Sequence, residues 1–213
     1  MSRIASAERR ALLVQAALRV IADTGVSGAT TRAIVAEAGM SLASFHYAFR
    51  SHDEMMRELV AHVVEAESTA AFAALRPGND IRTSLRDALH GFLGYVIADP
   101  GHEQVMQELL QYALRTPGLE ALAREQYAFY YASVSELLVE GAAAVGVAWS
   151  IPVADVARMV VAATDGVTLA YLVDRDAAAA RRVLDFAAES LSALTVPLAP
   201  TAVPSAPIRE HAR

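Results

Sequence analysis

Residues 25–55 read GVSGATTRAIVAEAGMSLASFHYAFRSHDEM. This stretch holds two short helical patterns around a tight turn. The first runs from Thr31 to Ala38 with Ile34 and Val35 apolar, and Gly39-Met40-Ser41 forms the turn. Ser41 is an N-cap for a second helix, Leu42 to Phe49, whose Leu42, Phe45 and Phe49 fall on one stripe. Two short helices about a glycine-containing turn are the sequence form of a helix-turn-helix, and its second helix enters a DNA major groove.

On those residues the stretch resembles the DNA-binding domain of the TetR family of bacterial regulators. Thr30, Thr31, Ile34, Ala36, Ala38, Gly39, Ser41, Phe49 and Ser51 carry the likeness, at a spacing that runs unbroken into the next helix. It covers about the first quarter of the chain; the remainder shares the family's layout only. Val35 and Met40 are apolar exchanges for the usual residues. Ala43 stands where Gly is usual, His46 where Tyr is, Ala48 where His is, and His52 where Lys is. Three of these positions usually face phosphates in the family. The resemblance implies an all-α protein with a DNA-reading head and a ligand-binding, dimerising body.

Outward from the motif, the chain reads as helices separated by caps and breakers. Ala7 to Asp23 is amphipathic, with Leu12, Leu13, Ala16, Ala17, Val20 and Ile21 as its apolar stripe, and Gly25 ends it. Ser51-His52-Asp53-Glu54 has the form of a capping box, opening a helix to about Leu75 before the break at Arg76-Pro77-Gly78-Asn79. Ile81, Leu85, Leu89, Phe92 and Val96 repeat at helical spacing, and Asp99-Pro100 starts the next helix. Thr116-Pro117 gives a cap and an N1 proline for a helix to about Val145. Two further helices follow Pro152 and Asp176. No period-2 strand pattern appears. The sequence thus predicts about nine helices: a helix-turn-helix domain at 1–50, a ligand-binding and dimerisation domain at 51–196, and a proline-rich, disordered tail at 197–213.

Composition sets the outer limits. The 213 residues are 54% hydrophobic, yet no apolar run is expected to approach the roughly 18 residues of a membrane span. A large core, an oligomer interface or an apolar pocket accounts for the excess. There is no cysteine, which removes disulfides, thiolate metal sites and Cys nucleophiles. The polar start carries no signal peptide, so a cytoplasmic protein without membrane partners is expected. Every basic residue is Arg, which we read as a genome's base composition. Net charge is −6, but residues 1–62 hold 7 Arg against 6 acids, whereas the rest holds 11 against 18. A near-neutral head on an acidic body suits a protein that meets DNA with one end.

Candidate DNA contacts are Thr31, Arg32, Leu42, Ala43, Ser44, His46, Tyr47 and His52. One of Thr30 and Thr31 caps a helix and the other is free for a phosphate, as the resemblance implies. Arg32 suits guanine, Leu42 a thymine methyl, and Tyr47 a phosphate. His52 lies at a helix start that already favours an anion, and being neutral it grips less firmly than a Lys.

In the body, Phe92, Tyr95, Met106, Leu110, Tyr127, Tyr130 and Tyr131 are candidates for a ligand cavity, with plain core packing as the alternative. Three tyrosines within five positions bring three hydroxyls that need partners. Asp165-Gly166 interrupts an apolar helix and reads as structural. Ala162, Gly166 and Ala170 recur every four residues, and Met159, Leu169, Val173, Val183 and Phe186 are too apolar for a monomer surface. A homodimer through the last two helices is the natural use.

Enzyme motifs fail. His102-Glu103 begins a zinc-protease pattern, but Met106 stands in place of the second His; no nucleophile elbow or dinucleotide loop is present. Glu58, His62 and Glu65 share a helix face without a second ligand set. No cofactor or metal is expected. The reading is a DNA-binding regulator, a repressor released from a palindromic operator by a small, largely apolar effector. The alternative is a helical ligand-binding or scaffold protein with a degenerate DNA-binding head.

Overall fold

Thr30 and Ser41 start the two motif helices through their hydroxyls. Thr30 Oγ1 accepts the Ala33 N–H at 3.2 Å and opens α2 (Thr31–Glu37). Ser41 Oγ accepts the Ser44 N–H at 3.2 Å and opens α3 (Leu42–Ala48). Each cap satisfies a donor that the helix leaves unpaired. Gly39 takes φ +63° between them with open space around its Cα, so the backbone conformation, not crowding, asks for glycine. Ser41→Ala should therefore destabilise the protein by about 1 kcal/mol, read as a lower urea midpoint at unchanged slope. An unmoved midpoint would remove this cap from the account.

The computed structural model describes residues 6–71 and 80–198, the side chains of 63–71 excepted. Around the motif, α1 (Ser6–Thr24) and α4 (His52–Ala71) complete a head. The body holds α5 (Ile81–Ala98), α6 (Pro100–Arg115), α7 (Glu120–Ala144), α8 (Val153–Asp174) and α9 (Ala177–Ser192). The all-α architecture, with nine α-helices among the described residues, is as expected. The break at 76–79, the end of α4 near Leu75 and the tail beyond 198 lie outside the described residues.

Leu13 and Ile21 of α1, Ile34 of α2, Phe45 and Phe49, and Met55, Met56 and Leu59 of α4 bury one another in the head. Leu12 corrects the expected stripe: it is 43% exposed, and Val14 is buried in its place. Arg10 clasps the head from outside. Its Nη1 donates to the Ala48 carbonyl at 2.6 Å, its Nε to Glu58 at 2.8 Å, and its guanidinium lies 4.2 Å over the Phe49 ring. Ser51 caps α4 through the Glu54 N–H at 3.1 Å. Glu54 completes the cap one residue further back than a capping box requires, accepting the Arg50 N–H at 2.8 Å. That N–H, and then Arg10, hold the Glu54 carboxyl below the usual range.

In the body α5 packs on α9, and α8 packs on both α7 and α9. Leu85, Leu89, Leu93, Leu138, Val156 and Leu184 are at the centre of its apolar cluster. The head's cluster continues into the body through Val105, Met106 and Leu109 of α6. Apolar packing is therefore continuous across the expected division at residue 50.

Three expectations are corrected. β1 (Val147–Trp149) and β2 (Thr195–Pro197) pair antiparallel, Ala148 opposite Val196, where no strand was expected. Three residues per strand are too few for an alternation to register in sequence. Pro197, assigned to the tail, belongs to β2. Second, α7 begins at Glu120, not after Thr116. Thr116 Oγ1 turns back to donate to the Tyr112 carbonyl at 2.8 Å, and Gly118 at φ +85° holds a turn in between. Third, α8 is long and apolar enough to cross a membrane by length and composition alone. Its sides are used on α7 and α9, and Arg158 and Asp165 interrupt it.

Candidate functional site

The exposed face of α3 is built on a buried base. Phe45 is 1% exposed and its ring lies 5.5 Å from that of Phe49, which turns Leu42, Ala43, His46 and Tyr47 outward. Tyr47 is 78% exposed. Arg32 is exposed at the start of α2; Thr31 beside it is half-buried and, with Thr30 serving as the cap, keeps its hydroxyl available. Ser44 is half-buried, its Oγ 3.1 Å from that of Ser41. All seven lie on α2 and α3, which pack on each other.

His52 departs from the expected set. Its Nε2 lies 2.6 Å from the Ala29 carbonyl oxygen, which can only accept, so Nε2 carries the hydrogen. A neutral ring has no second N–H to offer a phosphate. The imidazole pins the loop before α2 to the start of α4, a role that needs the fold to be seen.

Between α5, α6, α7 and α8 lies a cavity of about 520 Å³, within the range of small-molecule sites. Phe92, Tyr95, Met106, Leu110, Tyr127 and Tyr130 all line it, although Met106 is itself largely buried and Tyr95 stands at an exposed edge. Tyr131 does not. At about 100° per residue it stands well round α7 from Tyr130, and its ring receives the Arg158 guanidinium at 4.3 Å.

The wall carries ionisable groups as well. Asp165 lines the cavity, with Asp99, His102 and Glu103. Tyr127 donates its hydroxyl to Asp165 Oδ2 at 2.8 Å. Burial pushes the Asp165 carboxyl up, against the Tyr127 bond, which favours the charged form. Burial, and then Asp165, push the Tyr127 hydroxyl up, so it remains a donor at neutral pH. Gln126 Nε2 donates to the Tyr130 hydroxyl at 2.7 Å.

Among the wall residues that sequence reading missed, four are buried and polar. Ser84, Gln126, Ser133 and Thr168 are the buried polar residues among those described, and all four line the cavity. The usable signal was polar side chains at core positions of apolar helices. Asp165 gave the same signal and was read as structural.

The α6 helix touches both ends of the molecule. Met106 and Leu110 wall the cavity, while Glu108 accepts the Val26 N–H at 2.8 Å. That N–H opens the 3-10 turn Val26–Gly28, which leads into α2. Gly25, at φ +74°, brings the backbone so close that a Cβ would lie 3.0 Å from the Glu108 carboxylate.

A separate apolar face runs along α8 and α9. Met159, Leu169 and Val173 of α8 and Val183 and Phe186 of α9 are exposed, as are Ala162, Gly166 and Ala170. Among the described residues, no atom beyond its chain neighbours and its own helix backbone lies within 4 Å of where a Gly166 Cβ would be.

Comparison with known proteins gives a consistent result. The family model described as bacterial regulatory proteins, tetR family, matches residues 13–59. The model described as BetI-type transcriptional repressor, C-terminal, matches residues 77–196. The HTH-type nicotine-responsive transcriptional repressor HdnoR of Paenarthrobacter nicotinovorans is 31% identical over 172 residues, covering 81% of this chain and 88% of that protein. The crystal structure of the multidrug binding protein EbrR complexed with ethidium is 26% identical, with a TM-score of 0.64 over 84% of this chain and 98% of that one. A transcriptional regulator from Rhodococcus sp. Rha1 is similar in fold at 21% identity, with a TM-score of 0.72 over 88% of this chain and 99% of that one.

Proposed function

The chain belongs to the TetR family of bacterial regulatory proteins, and on that premise we propose a ligand-responsive transcriptional repressor that leaves its operator when a small molecule fills the body cavity. The head at 1–50, with the start of α4, reads DNA; the body at 51–196 binds the effector and a second copy of the chain. The named relatives, one nicotine-responsive and one complexed with ethidium, support an effector with an apolar, ring-bearing body. The apolar cavity wall supports the same class.

One observation carries the responsive part. The helix that walls the cavity also holds, through Glu108, the turn that leads into the DNA-reading pair. An effector that binds one position of α6 better than another therefore biases the placement of the heads, and only such differential affinity couples two sites. The exposed apolar face of α8 and α9 supports an isologous dimer, which sets two α3 helices on half-sites about 34–36 Å apart or a multiple of that. The scaffold reading has no observation in its favour.

Fluorescence anisotropy with DNA from the chain's own promoter tests the DNA reading. Tyr47→Ala should weaken binding to every sequence alike. Arg32→Ala should cost about 1–3 kcal/mol and also blur base preference. Unchanged affinity in both variants would sink the docking.

A further inference from the structure

We infer that the cavity takes an organic cation: an apolar, protonated amine whose nitrogen pairs with the Asp165 carboxylate and whose remaining polarity is met by the Thr168 hydroxyl. The inference rests on the reading of this cavity as the effector site and adds the charge of its occupant.

Asp165 sits on the cavity wall in α8, between Val161 and Val167, where Thr164 is the other polar residue. Its carboxylate accepts one hydrogen bond, from Tyr127, and no cation stands beside it among the described residues. A half-buried carboxylate with one partner has lost water and gained too little in return. The upward push on its proton affinity reflects the same deficit. Among the described residues no Arg lines the cavity, and the ionisable groups on its wall other than tyrosines are Asp99, His102, Glu103 and Asp165. An anionic occupant would meet the carboxyl groups of Asp165, Asp99 and Glu103 with no permanently charged cation on the wall among the described residues. A purely hydrocarbon occupant would strip more water from it and give nothing back.

The second observation is independent of charge. Thr168 is 2% exposed and lines the cavity, and its Oγ1 has no hydrogen-bond partner among the described residues. Thr164, one turn earlier, satisfies its hydroxyl on the carbonyls of Val160 and Val161; Thr168 does not follow it. Buried hydroxyls left unpaired are rare in folded proteins. Asp165 and Thr168 are three residues apart on α8, so their side chains are neighbours on one face. Across the cavity, Tyr127 and Tyr130 lie with ring centroids 5.7 Å apart and supply the π-surface that an ammonium group favours. The pairing of a carboxylate with an N–H cation is a charge-assisted bond, stronger than a neutral one. An amine that carries N–H suits this wall better than a quaternary ammonium, which has no hydrogen to donate.

Two probes that differ in one heavy atom test this. At neutral pH, 4-(dimethylaminomethyl)biphenyl is a cation and 4-isobutylbiphenyl is its uncharged carbon counterpart. In calorimetry with the full chain, the wild type should bind the amine about tenfold or more tightly than the hydrocarbon. Asp165→Asn keeps an oxygen for Tyr127; it should lose the preference and retain the hydrocarbon. Thr168→Val should weaken 4-(aminomethyl)biphenyl, whose ammonium carries N–H groups for both side chains, and spare the dimethylamine, whose single N–H goes to Asp165. Equal wild-type affinity for the two probes overturns the cation while leaving the cavity as an effector site. A preference that survives in Asp165→Asn overturns the assignment to Asp165. Binding of neither probe overturns both the cavity reading and this inference. Should Asp165→Asn fail to fold, the two-probe comparison on the wild type still decides.

Discussion

Phe186→Glu should turn the protein into a folded monomer and reduce its affinity for a two-half-site operator by roughly 10²–10⁴-fold, the loss expected when two linked binding heads become independent. Phe186 is 74% exposed on α9, so the substitution takes nothing from the protomer's own core. In an isologous interface the same change places two unpaired carboxylates in an apolar seam, once from each copy. Leu191→Glu, on the same helix, should behave differently. Leu191 is buried in the body's apolar cluster, so a charge there unfolds the protomer before any question of dimerisation arises. Gly166→Leu separates the effects from the other side. The position is exposed and open within one protomer, and leucine is the better helix former, so any loss of the dimer would come from bulk at the seam. Light scattering and anisotropy on one and two half-sites check all three. A Phe186→Glu protein that stays dimeric would move the interface off this face.

Much of the fold was legible because it is written in local chemistry. Thr30, Ser41, Asp99 and Asp176 each accept N–H groups from the start of a helix, as their positions in the sequence led one to expect. Gly25 and Gly39 both adopt positive φ where the chain had to turn. What escaped depends on contacts between distant residues. β1 and β2 are short, and the register of Trp149 with Thr195 joins segments far apart in the chain. His52 resembled a phosphate contact until Ala29, 23 residues earlier, proved to hold its ring nitrogen. Tyr131 and Tyr127 look equivalent in sequence, four apart, yet Arg158 takes the first and Asp165 the second. The polarity of the cavity wall escaped for the same reason: Ser133 and Thr168 are ordinary helix residues until four helices leave a space beside them.

The head's dependence on one aromatic gives the second large effect. Phe45→Ala should lower the stability of the head by about 3–5 kcal/mol, the usual cost of emptying a buried phenylalanine site. Phe45 touches the core shared by α1, α2 and α4, and little can collapse into its place because Ile34, Phe49 and Met55 are already buried around it. A loss of that size approaches the whole stability of a small domain, so operator binding should vanish at 37 °C. The body offers a separate readout. The chain has a single tryptophan, Trp149, whose Nε1 donates to the Leu138 carbonyl at 3.0 Å; its emission follows the body and not the head. In Phe45→Ala that emission and the dimer should persist at temperatures where DNA binding is gone. If instead Trp149 unfolds in step with the head, the apolar seam through Val105, Met106 and Leu109 makes head and body one cooperative unit. Unchanged operator affinity in Phe45→Ala would mean that α3 is not the helix that reads DNA.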